Sequence, residues 1–186
     1  MTNATTTSIA RNWILLGIPV LFLVGCIMHF IYEWSGNSVI VGIFAPVSES
    51  IWEHLKLTFW PMLLWWIAGY IILSKNNTLS ASQWLFSTVI AELVCILTIV
   101  SFYYTYTGAL GIESLFLDIF SLFLAIILAQ CLAYHFYCYA KVGVPWLFIS
   151  LSILILMAIV FTLFTFSPPN LPIFISNLSF LQGKGT

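Results

Sequence analysis

From residue 13 to residue 166 the chain is apolar almost without a break, in five stretches of about 20 residues or more separated by short polar or proline-containing punctuation. In hydrocarbon a segment of this kind satisfies its backbone N–H and C=O groups only by coiling into a helix. The pattern therefore predicts an all-α fold, a polytopic transmembrane helical bundle with spans over residues 13–34, 49–74, 82–104, 113–139 and 144–166. Residues 38–45 are apolar but too few to cross a bilayer, and read as a re-entrant or interfacial segment before the second span. Pro46 ends that segment, and Ser48 is the expected N-cap of the following helix. Pro61 is expected to kink that helix, and Pro168 and Pro169 to stop the fifth. Residues 170–186 read as a tail on the membrane surface.

All 186 residues fit one integral membrane domain, and no internal repeat suggests the two-fold design of many transporters. Charged residues make up 6% of the chain against about a quarter in soluble domains, so the lipid bilayer is the expected partner. A net charge of -1 supplies no basic surface, and nucleic acid is excluded as a partner class. Cys26, Cys95, Cys131 and Cys138 lie in or beside apolar runs without a paired spacing, and read as packing residues. The sequence around Cys26 has the form of a lipoprotein processing box, but the apolar run continues through Phe30 and Ile31, which favours an uncleaved span.

Where charge does occur, it is placed unevenly. Arg11, Lys75 and Lys141 fall at one end of the expected spans, and Glu33, Glu49, Glu53 and Glu113 at the other. By the positive-inside rule the amino terminus is expected in the cytoplasm and the carboxyl terminus outside, with five crossings between them. His29 and Glu33 are four residues apart on the first span and share a face. On the second, helical spacing puts Glu49, Glu53 and Lys56 on one face and Ser50 with His54 on the next. Asp118 enters the fourth span from the same outer end.

If these helices adjoin, His29, Glu33, Glu49, Glu53, His54, Lys56 and Asp118 converge on one ligand-binding pocket. His29, His54 and Asp118 form an N/O ligand set suited to a divalent metal such as zinc. With an open coordination position such an ion activates water, and Glu49, Glu53 or Ser50 are then the candidate catalytic groups. Glu92, midway along the third span, is placed where a carboxylate is costly and reads as part of an ion or proton path. His135 lies too far along the fourth span to reach the outer end and reads as an inner-interface residue. The tryptophans of the second span, Trp52, Trp60, Trp65 and Trp66, are expected to pack the bundle. There is no H-E-x-x-H, G-x-S-x-G, haem-attachment or phosphate-loop motif.

The Ser50-x-x-x-His54 pair followed by an intramembrane aspartate is similar to the first two motifs of the alkaline-ceramidase-like membrane hydrolases. Their closing H-x-x-x-H pair is absent here, since no histidine follows His135. A broader resemblance rests on three runs: His-Phe-Ile-Tyr-Glu-Trp-Ser-Gly-Asn at 29–37, Pro-Val-Ser-Glu-Ser-Ile-Trp-Glu-His-Leu-Lys-Leu at 46–57, and Phe-Thr-Phe-Ser-Pro-Pro-Asn-Leu-Pro at 164–172. Together these resemble a family of small bacterial multi-pass membrane proteins known as a domain of unknown function. The resemblance implies a bacterial inner-membrane location and the span layout, and assigns no catalytic residue. Three functions follow as expectations: binding or transport of a small ligand or ion, metal-dependent intramembrane hydrolysis, and a structural or assembly role. The length suits a comparison with the substrate-capture subunits of vitamin transporters, whose A-x-x-x-A contact pattern the first span lacks.

Overall fold

The computed structural model describes residues 2–75 and 79–175, and among them every regular element is a helix. In chain order these are α1 (Thr2–Trp34), α2 (Val39–Phe44), α3 (Ile51–His54), α4 (Lys56–Ser74), α5 (Ala81–Leu110), α6 (Leu115–Tyr139) and α7 (Val144–Phe166), followed by a 3-10 turn at Pro172–Phe174. Five are long and apolar enough to cross a membrane, with α3 and α4 acting as one span over Ile51–Ser74.

The spans match the expected layout, with three shifts of boundary. The first helix begins well before residue 13, because the Thr- and Asn-containing stretch ahead of Trp13 continues the coil. The third runs on to Leu110, where Gly111 in the left-handed region (φ 64°) closes it by donating its N–H to the Thr107 carbonyl. The second starts at Ile51 and not at 49: Ser50, not Ser48, is the N-cap, its Oγ accepting the Glu53 N–H at 3.3 Å. The short apolar piece is helix α2, which packs against α1 and α7. Residues 170–175 fold back onto α3, and the rest of the expected surface tail, 176–186, lies outside the described residues.

Four spans form the core. α1 lies against α4 and α6, and α5 lies against the same two, so α1, α4, α5 and α6 close a four-helix ring with α7 on the flank of α5. The α5–α6 contact is the most extensive, and small side chains explain it: Ala125, Ala129 and Ala133 on α6, and Ala91 and Cys95 on α5, recur every fourth residue and are fully buried. Without a hydrophobic driving force between helices in lipid, close backbone approach of this kind supplies the attraction. α7 buries only Ser150, Leu154 and Phe161, leaving Phe148, Leu156 and Leu163 exposed as a lipid-facing side would require.

The tryptophans pack the bundle as expected. Trp66 and Trp84 are buried with ring centroids 4.8 Å apart, and Trp13 stacks on Trp65 at 4.5 Å. Pro61 sits inside α4, so the Leu57 carbonyl loses its usual partner four residues on. Gly25 of α1 faces that carbonyl so closely that a Cβ there would meet the oxygen at 3.0 Å.

Candidate functional site

The end of the bundle where α1 finishes and α4 begins is built by the stretch between α2 and α4. Pro46 and Ala45 are buried, and the chain from Val47 to Ser50 turns over the ends of α1 and α7 before α3 starts. Because Glu49 precedes the helix, it does not share a face with Glu53 as the helical spacing predicts. The two acids go opposite ways.

Glu53 points inward. Its Oε2 accepts from the Val47 N–H at 2.9 Å and from Lys56 Nζ at 2.6 Å, while the same ammonium donates to the Gly42 carbonyl at 2.8 Å. Glu53 is 4% exposed and Lys56 is fully buried. One ion pair thus ties α2, the 45–50 stretch and the start of α4 together, with Glu53 and Lys56 engaged with each other.

Glu49 points outward to the histidines. Its Oε2 lies 3.3 Å from His54 Nε2, and the His54 ring stacks on that of His29, centroids 5.2 Å apart. One ligand atom from each of His29, Glu49 and His54 lies within 4.8 Å of the others. The half-buried His54 ring is fixed by its other nitrogen, Nδ1, 2.8 Å from the Ser50 carbonyl. A carbonyl only accepts, so Nδ1 carries a proton. In the neutral tautomer Nε2 is then a bare lone pair aimed at a carboxylate, and a positive charge is needed between them, either a second proton or a metal ion. The hydrogen bond from His54 holds the Glu49 carboxyl below its ordinary range, helped by the charges of His54 and His29 and opposed by partial burial.

The remaining expected site residues separate from this triad. Asp118 is near enough to act on His54 through space, but its Oδ1 accepts the Tyr106 hydroxyl at 2.7 Å, and Glu49 takes the third ligand position proposed for it. Glu33 is exposed on α1 and joins no ion pair among the described residues. The expected Ser50–His54 partnership fails at the hydroxyl: His54 meets the Ser50 carbonyl, while Ser50 Oγ is buried, caps α3 and receives the Ser48 hydroxyl at 3.3 Å. His135 is exposed at the far end of α6 from the triad, its ring against Tyr139.

On the Glu53 side of the 45–50 stretch a cavity of about 190 Å³ opens between two parts of the chain distant in sequence, Val47, Ser48, Ser50 and Glu53 on one side and Phe164, Thr165, Pro168 and Phe174 on the other. Behind Phe174, Trp52 lies against that ring and is stacked on Phe161, each with centroids 4.8 Å apart. All three runs that carry the sequence resemblance meet at this end of the bundle, since His29 belongs to the first, Glu49 and His54 to the second, and Phe164 and Pro168 to the third. A family model described as a family of unknown function (DUF6512) matches residues 1–184. The chain belongs to DUF6512. No curated protein and no solved structure matches it.

Sequence reasoning missed two kinds of residue in this DUF6512 chain. The aromatic wall from Phe161 to Phe174 carries no chemical signature that separates it from lipid-facing phenylalanines. Gln130, by contrast, was legible as an amide inside an apolar span, a costly residue type at that depth.

Proposed function

We propose that the protein binds a divalent transition-metal ion at the outer end of the bundle through His29, Glu49 and His54. The observation that carries this reading is the His54 ring, with Nδ1 anchored on a backbone carbonyl and Nε2 facing a carboxylate across 3.3 Å. An imidazole oriented by a carbonyl through its second nitrogen is the usual support of a metal ligand. Two imidazoles and a carboxylate suit zinc and its neighbours, and leave a fourth position for water or a ligand. Two atoms bound at about 2.1 Å from one ion lie at most about 4.2 Å apart, so binding draws the triad slightly inward.

Binding or transport of the ion is favoured over hydrolysis because the proposed nucleophile and base are already engaged: Ser50 caps α3 and Glu53 holds Lys56. The location we propose is a bacterial inner membrane, amino terminus inside and triad outside, on the strength of Arg11, Lys75 and Lys141 at the opposite end.

Elemental analysis of detergent-purified protein after zinc loading and desalting tests the site. One equivalent of metal is expected, falling at least about tenfold in affinity in His54→Ala and Glu49→Gln and unchanged in Glu33→Gln. Substoichiometric metal that these variants do not alter would overturn the reading.

A further inference from the structure

A second polar site lies in the middle of the membrane, where the outer triad does not reach. Glu92 on α5 and Gln130 on α6 are both fully buried, and neither carboxyl oxygen of the first nor either amide atom of the second has a hydrogen-bond partner among the described residues. The two face each other by register. α5 and α6 run antiparallel with Gln83 bonded to the Ala140 carbonyl, Phe86 against Phe136, Phe102 against Phe120 and Tyr106 bonded to Asp118, which sets Glu92 opposite Gln130. α4 adds Trp65, whose indole Nε1 is buried and also without a partner. α1 adds Gly17: a Cβ there would fall 2.5 Å from Gln130 Nε2 and 2.7 Å from Trp65 Nε1, so the missing side chain is what leaves room for those two donors to turn toward one space.

Gln130 of α6 thus stands between Glu92, opposite it on α5, and the Trp65 indole of α4, which lies about one turn further along and meets Gln130 over Gly17. The depth of this layer follows from helix geometry: Glu92 is about 16 Å along α5 from Ala81 and Gln130 about 14 Å along α6 from Tyr139, close to the middle of a hydrocarbon core about 30 Å thick. Unsatisfied donors and acceptors side by side in hydrocarbon are the mark of a bridging polar guest, since each would otherwise forfeit its hydrogen bonds outright. The guest must be small, because α5 and α6 pack closely here, with Ala91, Cys95 and Ala129 all fully buried.

It must also come to terms with a carboxyl that has no counter-charge. Among the groups facing Glu92, Cys95 one turn along α5 is titratable and lies against Thr58 of α4. Residues 57–66 of α4, 13–22 of α1 and all of α7 offer no titratable side chain, and α6 between residues 122 and 133 offers only the exposed Cys131. Lys56 is the nearest cation along α4 and is already taken by Glu53.

We propose that Glu92, Gln130 and Trp65 enclose a hydrated proton-binding site at the centre of the bundle, where Glu92 exchanges its proton with bound water. In the protonated state the carboxyl O–H donates to that water. On release the proton passes to that water, which hands a proton on to a second bound water and stays neutral itself, so that the Gln130 and Trp65 N–H groups donate to its oxygen while its own O–H donates to the carboxylate. Donors without a fixed acceptor suit both states.

Dicyclohexylcarbodiimide, which enters lipid and adds to protonated carboxyl groups, tests this on the full-length protein reconstituted in vesicles. Mass spectrometry is expected to find Glu92 labelled in acidic buffer, with labelling falling about tenfold per pH unit above its midpoint. Replacing choline by sodium at constant pH leaves that curve unchanged. Trp65→Phe and Gln130→Leu each change the proton affinity read from the curve by about tenfold, because each removes a donor to the ionised form. Protection by sodium would replace the proton with a metal cation and overturn the proposal. Labelling that is absent, or present but indifferent to pH, would make the layer a dry packing feature and overturn it equally.

Discussion

A single residue, Glu49, separates the outer site from ordinary interfacial charge. Had the helix begun at 49, its carboxylate would lie over the first turn and do no more than complement the helix dipole. Standing before the Ser50 cap, it meets His54 instead. The consequence for stability follows from the sign of its shift. Its carboxyl is held below the ordinary value of 4.5, mainly by the hydrogen bond from protonated His54, so while His54 keeps its proton the contribution is complete above that value and is lost as the pH falls through the lower folded one. The Glu49 side chain is 59% exposed, which keeps the effect within the range of a surface pair, under about 1 kcal/mol. Thermal melts of metal-free protein and of Glu49→Gln are expected to differ slightly at mildly acidic pH, where His54 is protonated and Glu49 ionised, and to converge as the pH falls below 4.5. A difference that persisted or grew below that value would remove the His54–Glu49 bond from the account.

At the scale of elements, the device that builds the outer end is the pair Glu53–Lys56. Both groups are buried, so removing one partner strands the other. Lys56→Met is expected to destabilise the bundle by about 3–5 kcal/mol, while Lys56→Met with Glu53→Gln recovers part of that loss by withdrawing the unpaired charge. Reversible denaturation in mixed micelles measures both, and additive losses would show that the pair is not coupled. The spacing of Glu53 and Lys56 was legible in the sequence as a helical pair. Its burial was not, because that depends on α2 folding back to bring the Gly42 carbonyl onto Nζ. The start of α3 was also illegible: Ser48 and Ser50 are equivalent caps by chemistry, and only the Glu53 N–H distinguishes them in space. Spans were read almost to the residue at α6 and α7 because lipid rewards uninterrupted apolar length, a property of composition alone. The polar layer around Glu92 was half legible: the carboxylate announces itself, whereas Trp65 resembles every other packing tryptophan until Gly17 places its N–H.

For the whole molecule, five crossings put the two proposed polar sites in different surroundings, the triad at one end and Glu92 near mid-membrane. Which end faces out rests on three basic residues, and orientation is therefore the property of the whole chain most open to measurement. With Cys26, Cys95, Cys131 and Cys138 replaced by alanine, single cysteines at Val39 and Ile112 mark the triad end, and single cysteines at Lys75 and Lys141 mark the other. All four chosen positions are exposed, so reactivity reports the side of the membrane and not burial. In intact cells a membrane-impermeant maleimide is expected to label 39 and 112, and to reach 75 and 141 only after permeabilisation. The reverse pattern would turn the triad toward the cytoplasm, and labelling of all four from one side would contradict five crossings. Orientation also fixes where metal is exchanged: with the triad outside, an impermeant chelator added to intact cells strips the ion, and with the triad inside it cannot.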